Sequence, residues 1–481
     1  PGFLYAADLI GAAAGSIGSY FLLQAVGAWK AVFIIGLISA FAYLLLLRTI
    51  RGLRPVSLLF IPLAAGLLYL GWFTGVGTRL LPNPKLEKEM TLMLEDDQYN
   101  PRITETRWSA FGRVDMVASD NPLFKTLFID GAAGTKMLQM EGGELDRNLE
   151  DNLLFNYIGG LPLFAFYEEG KRPGNALVLG SGGGIDLVTL LLFGYQDITA
   201  VEINAGFIEL VREYSSYNGG IYNNHPDIDI IHTEGRSYIR NTSDMYNLIH
   251  MSLPIIKSSR NYGNHALTEN YLFTYDAINE YRDALKPGGS LLVVTHYPNE
   301  VLRLLANVLK SFETDGVPPE EALKGIAIVG RDTNPALIVK NRPFSSGETA
   351  AFYKMIEQYK QRGSTNYIPG LEQRYKIEIN REEQREEHIP EFHPDIYDMS
   401  RGKISLDEFV RRGDENFSYI SDNSPFFYQM QRFLPPEVII VLAVALVLTA
   451  TLALLFRFTA GGGFPVPKTK AYFFAVFAFL G

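Results

Sequence analysis

The sequence contains no cysteine in its 481 residues, which removes disulfides, thiolate nucleophiles and Cys-ligated metals and leaves the compartment open. Basic residues are in deficit, with 43 Lys and Arg against 53 Asp and Glu, a net charge of −10. A nucleic-acid partner calls for a basic patch, so none is expected. Histidine is also scarce, with 7 in the chain. Where imidazoles and carboxylates do crowd, from Glu387-His388 to His393-Pro394-Asp395, the run is proline-interrupted and lacks helical i,i+4 spacing. It reads as a solvated acidic loop, and no metal is expected. No solenoid-type repeat is visible either.

Charge is missing locally as well. Residues 9–29, 31–47, 56–77, 438–456 and 471–481 are nearly free of it. Most approach the roughly 20 residues that cross a hydrocarbon core of about 30 Å. They predict an integral membrane protein, with the lipid bilayer as a partner. The expected order is three spans in 1–77, a linker and small β-unit in 78–170, a main domain in 171–345, a helical and loop extension in 346–434, and one full and one truncated span in 435–481. Starting on Pro1 and stopping within an apolar run, the sequence reads as part of a longer polypeptide. Arg48, Arg51 and Arg54 point the large insert outward, whereas Arg79, Lys85 and Lys88 point it inward, so its side of the membrane stays open.

The insert carries the chemistry. Residues 107–116 and 123–130 alternate apolar and polar side chains, as paired strands do. From residue 175 onward, short apolar strands at 176–180, 198–203, 228–232, 248–252 and 291–295 alternate with helical stretches. That is the signature of βαβ units and a parallel sheet. The fold class is therefore α/β: a Rossmann-like sheet with a small N-terminal β-unit, inserted between transmembrane α-helices. A hairpin is expected around Asp332-Thr333-Asn334-Pro335 at the sheet edge.

The first strand runs into Gly180-Ser181-Gly182-Gly183-Gly184 and then a helix. A nucleotide-like ligand needs close backbone approach at the carboxyl end of a strand, and a Cβ would block it. The second strand ends on Glu202-Ile203, roughly 20 residues beyond Gly180, where a carboxylate can accept from both ribose hydroxyls. The third ends on Glu234-Gly235, a second acid suited to an adenine amino group. The other reading of both acids is a strand-end or helix-dipole contact.

These motifs in this order resemble class I S-adenosylmethionine-dependent methyltransferases and, more closely, the spermidine synthase family of polyamine aminopropyltransferases. The closer resemblance rests on Leu127-Phe128-Ile129-Asp130-Gly131, on Asn156-Tyr157 with Gly160-Leu161-Pro162-Leu163, and on Ala266-Leu267-Thr268-Glu269-Asn270-Tyr271. It covers roughly residues 107–297, and Trp108-Ser109-Ala110-Phe111-Gly112-Arg113 with the segment Ser421–Phe427 is similar to bacterial membrane proteins that fuse such a domain to several spans, which implies a place in the bacterial cytoplasmic membrane. The resemblance implies S-adenosylmethionine or its decarboxylated form held by Gly180, Ser181, Gly182, Gly184, Glu202, Ile203, Glu234 and Gly235. It also implies an amine or other small acceptor near Asp130 and Tyr157.

The chain departs from the family where the family keeps working carboxylates. Gly183 stands where the glycine loop carries an Asp, with Asp186 one helical turn on. Ser252 stands at the strand-four Asp, and a serine is a poor base without an activating partner. His250, Tyr271 near the mouth and His296 are the other groups able to supply chemistry, the two histidines also readable as packing residues. Two readings follow: an alkyl transferase acting on an amine, or a catalytically inactive Rossmann-like subunit docking within a larger membrane complex.

Overall fold

The computed structural model describes residues 2–49, 66, 88–109, 111–141, 144–166, 173–253, 269–330, 334–358, 367–370, 378–380, 385–387, 393–432, 439–440 and 442–447. After helix α1 (Gly2–Thr49) and the short α2 (Glu89–Leu94), four strands form an antiparallel meander: β1 (Arg102–Ser109), β2 (Gly112–Ala118), β3 (Phe124–Ile129) and β4 (Ala132–Leu138). A two-residue pair, β5 (Met140–Glu141) and β6 (Glu144–Leu145), and helix α3 (Arg147–Phe155) lead on toward the main sheet.

The main unit alternates strands and helices: β7 (Ala176–Leu179), α4 (Ile185–Leu192), β8 (Ile198–Glu202), α5 (Ala205–Glu213), β9 (Ile228–His232), α6 (Gly235–Asn241), β10 (Tyr246–Ser252), α7 (Tyr275–Asp283), β11 (Leu285–Val294) and α8 (Pro298–Thr314). The edge hairpin is β12 (Ile326–Val329) and β13 (Ala336–Val339), followed by α9 (Ser346–Gln358). A small pair, β14 (Glu378–Asn380) and β15 (Arg385–Glu387), precedes α10 (Pro394–Ser400) and α11 (Leu406–Arg412).

Seven strands make one sheet in the order β12-β13-β11-β10-β7-β8-β9. β9, β8, β7, β10 and β11 pair in parallel, and β13 runs antiparallel to both of its neighbours. The apolar runs are continuous because both faces are covered, and the two-residue period divides them. Ala176 and Val178 of β7 pack with α4 and α5, whereas Leu177 and Leu179 pack with α7 and α8. This is the Rossmann-like α/β architecture that the strand–helix alternation predicts. Val114, Met116, Leu127 and Met137 of the meander join the first of these two cores.

Two local features have physical causes. Helix α7 starts at Tyr275 because the Thr274 hydroxyl accepts from the Ala277 N–H and caps it. Strand β11 begins at Leu285 and carries Pro287-Gly288-Gly289 as an irregularity, its register against β10 jumping from Leu285 opposite Tyr246 to Ser290 opposite Leu248.

The membrane expectation is corrected. The charge-free runs at 9–29 and 31–47 fold into α1, which is two helices joined across a kink at Gly27 (φ 76, ψ 164). A Cβ there would meet the Trp108 indole of β1 at 3.1 Å, and Ala31, one turn on, is buried. Among the described residues no helix is long and apolar enough to cross a membrane. Absence of charge along a run measures apolar content; it does not register a break or packing against a neighbouring sheet. The runs at 56–77 and 471–481 lie outside the described residues apart from Gly66, as does most of 438–456. Neither the insertion between spans nor the membrane-fused kind of relative is supported.

Candidate functional site

In the main sheet β8 follows β7 on one side while β10 lies on the other, so the strand order reverses between β7 and β10. Helices leaving adjacent strands toward opposite faces open a crevice beyond the carboxyl ends, where ligands of this architecture bind. The glycine loop after β7, Glu202 at the end of β8 and Ser252 at the end of β10 all sit at those ends.

The loop is tightly held. Gly182 has φ 50, in the left-handed region, and its N–H donates to Glu202 Oε2 at 2.8 Å. The other carboxylate oxygen of Glu202 accepts from the Asn204 N–H at 2.8 Å. Burial pushes the Glu202 carboxyl up, against the opposing effect of these backbone bonds. The Ile203 backbone N–H acts on the same carboxylate. From the other side, the Gly183 N–H donates to Thr135 Oγ1 at 3.0 Å, and a Cβ on Gly183 would lie 2.7 Å from the Lys136 carbonyl carbon and oxygen. Strand β4 thus presses its backbone against the position where the resembled family carries a carboxylate.

Tyr222 was not singled out by the sequence, and the aperiodic stretch around it gives no signal. It is fully buried and its hydroxyl donates to Ser181 Oγ at 2.6 Å, with Gly182 O at 2.8 Å as a second acceptor. Tyr222→Phe removes this tie while keeping the ring. It is expected to cost about 1–2 kcal/mol of stability, read as a fall in the urea midpoint at unchanged m-value. An unchanged midpoint would mean that the loop holds itself.

Four residues singled out by the sequence meet on the β10 side. The Tyr157 hydroxyl donates to Asp186 Oδ1 at 2.5 Å and lies 3.1 Å from Ser252 Oγ. With its proton committed to Asp186, Tyr157 accepts from Ser252, giving a line Ser252–Tyr157–Asp186. Burial raises the Asp186 carboxyl above its ordinary range, with the charge of His250 and the Tyr157 bond opposing it, and burial next to Asp186 pushes the Tyr157 phenol well up. His250 places Nε2 2.9 Å from Gly159 O. A carbonyl only accepts, so Nε2 carries the proton, and Nδ1, buried, has no partner among the described residues.

The remaining candidates are engaged elsewhere. Asp130, at φ 50, accepts from the Arg113 N–H at 3.0 Å within the meander. Tyr271 is 44% exposed and donates to Glu269 at 2.9 Å. Glu234 caps α6, its oxygens accepting from Arg236 N–H at 3.0 Å and Ser237 N–H at 2.7 Å, while Gly235 opens that helix. The His296 main-chain N–H donates to Glu300 at 3.1 Å. Ile203, Glu234 and Tyr271 line a cavity of about 680 Å³, together with Phe111, Asn270 and Tyr428. Residues 388–392 of the His-Glu run lie outside the described residues, and His393 packs its ring on Phe409 and Phe417. No metal-holding group of His, Asp and Glu occurs among the described residues.

No family model matches the chain. None of the curated proteins matches it. Among solved structures it is similar to spermidine synthase from Thermotoga maritima, at 17% identity and a TM-score of 0.37, over 52% of this chain and 76% of that one. A spermidine synthase in complex with the transition-state analogue AdoDATO is similar at 17% identity and a TM-score of 0.36, over 52% and 77%. A probable spermidine synthase from Corynebacterium glutamicum is similar at 15% identity and a TM-score of 0.38, over 53% and 87%.

Proposed function

We propose that the crevice binds an adenosine nucleoside, S-adenosylmethionine or its decarboxylated form, and that the protein transfers an alkyl group from it to an amine or other small acceptor. The observation that carries this reading is the hydrogen-bonded line Ser252–Tyr157–Asp186 beside the glycine loop. The residues that would hold the nucleoside are the glycine loop after β7, Glu202 at the end of β8 and Glu234 on the cavity wall.

When bound, the nucleoside supplies an activated sulfonium carbon and a neutral thioether leaving group. The chain positions the acceptor and takes its proton. An amine proton taken up at Ser252 Oγ would move along this line, the serine proton passing to Tyr157 Oη and the tyrosine proton to Asp186. The line thereby gives Ser252 the activating partner that a lone serine lacks.

The second reading, an inactive docking subunit, is favoured by one observation: the oxygens of Glu202 and Glu234 already accept from backbone N–H groups. Isothermal titration separates the two. Heat is expected with at least one of the two nucleosides, and Glu202→Gln is expected to weaken binding about tenfold, roughly 1.4 kcal/mol. Folded protein that gives no heat with either would leave the docking reading.

A further inference from the structure

Two members of the line Ser252–Tyr157–Asp186 sit on regular elements. Ser252 closes β10 opposite Val294 of β11, and the next residue, Leu253, donates its N–H to Val294 O at 3.1 Å. Asp186 lies in the first turn of α4. Tyr157 has no such support. It stands in the turn between α3, which ends at Phe155, and the 3-10 helix Leu161–Ala165. A phenol on a turn keeps partners at 2.5 and 3.1 Å only if the turn itself is held.

The turn's own bonds tie it to its flanks. The Tyr157 N–H donates to Asn152 O at 3.1 Å, and Tyr157 O accepts from the Gly160 N–H at 3.0 Å and the Leu161 N–H at 2.9 Å. Packing inside the turn is close, since a Cβ on Gly159 would lie 2.6 Å from Tyr157 Cε1. The Gly159 backbone and the Tyr157 ring therefore shift together.

His250 links this turn to the main sheet. Its register partners are Val178 of β7 and Leu292 of β11, so its backbone is paired on both sides. The two-residue period puts it on the same face of β10 as Ser252. Leu248, Ile249 and Met251 around it are apolar and fully buried, and a histidine in this row, 1% exposed, is the exception. Its Nε2–H donates to Gly159 O at 2.9 Å. One strand thus carries Ser252 and, two residues earlier, the anchor of the turn that carries Tyr157.

We propose that His250 is a positioning residue: by donating from Nε2 to Gly159 O it fixes the 156–160 turn to β10 and so holds the Tyr157 hydroxyl between Ser252 and Asp186. The proposal rests on the transferase reading above for what the line does, and adds the residue that keeps the line in register. In this role the imidazole touches no ligand and takes no proton; it acts through Tyr157.

The test compares two neutral amides in the full chain. His250→Gln puts a side-chain N–H about where Nε2 stands, whereas His250→Asn is one methylene shorter and falls short of Gly159 O. Both remove the imidazole and its charge beside Asp186, so the comparison isolates reach. The readout is the nuclear magnetic resonance signal of the Tyr157 phenol carbon in tyrosine-labelled protein, identified by its loss in Tyr157→Phe. In the parent this signal is expected to shift as Asp186 ionises, with an inflection above the ordinary carboxylate range because burial raises that carboxyl. His250→Gln should keep an inflection and His250→Asn should lose it; a merely structural role would lower the stability of both and leave the signal alone. An inflection kept in folded His250→Asn overturns the proposal. So does one lost in both variants, because the ring or its charge would then be what matters. If His250→Asn does not fold, His250→Leu, close in volume and without a donor, carries the same readout. No heat on titrating S-adenosylmethionine or its decarboxylated form into the parent overturns the transferase reading, whatever the Tyr157 signal shows.

Discussion

Gly183→Asp, the change that would restore the carboxylate of the resembled family, is expected to destabilise the protein rather than improve it. The obstacle is backbone. A Cβ at residue 183 would lie 2.7 Å from the Lys136 carbonyl carbon and oxygen and 3.0 Å from the Met137 nitrogen. These atoms belong to β4, whose partner β3 fixes Met137 opposite Lys125 and Lys136 opposite Thr126. A side-chain end can rotate away, but a strand paired along its length moves only as a unit. Overpacking of this kind costs about 3 kcal/mol, and for a domain of this size that lowers the thermal midpoint by roughly 6–12 °C. Gly183→Ala carries the same Cβ without the charge and should suffer most of the same loss. If Gly183→Ala melts with the parent while Gly183→Asp falls, the harm lies in burying a carboxylate and β4 is free to yield.

That prediction depends on a contact that the sequence hides. The alternation of strands and helices from residue 175 onward, the glycine loop and the acids closing β8 and β9 were all legible, because each is a local pattern of period or spacing. The closure of β4 over Gly183 is not local: Thr135 and Gly183 meet only because the meander folds back on the main sheet. The same holds for Ser252–Tyr157–Asp186. Asp186 drew notice as the acid one turn after Gly183, and Ser252 as the residue at the end of strand four. What links them is Tyr157, placed by the turn leading into the 3-10 helix Leu161–Ala165. Glu234 shows the converse, since an acid immediately before a helix is as good an N-cap as a ligand, and the local sequence is the same for both. The membrane reading failed for a related reason: charge-free length was visible at 9–29 and 31–47, whereas the break at Gly27 and the Trp108 contact were not.

Asp186→Asn tests the proposed chemistry where its effect is largest. Asp186 is the end of the proton path, and Asn keeps the acceptor that Tyr157 needs, so ligand binding should persist while turnover falls about 10²-fold or more, the usual range for loss of a positioned base. Single-turnover rates with saturating nucleoside and acceptor read this directly, and a variant that keeps its rate would remove Asp186 from the path. The pH dependence carries a second readout. Burial raises the Asp186 carboxyl, so in the parent the rate should climb with pH through a value above the ordinary carboxylate range, and that limb should vanish in Asp186→Asn. Stability moves the opposite way. In the unfolded chain the carboxyl ionises at its usual value of about 3.9, while in the folded protein it holds its proton longer. The contribution of Asp186 is therefore complete below that value and is lost as pH rises toward the folded one. Asp186→Asn should remove that part of the pH dependence, so chemical denaturation across the acid range should show a flatter profile for the variant than for the parent.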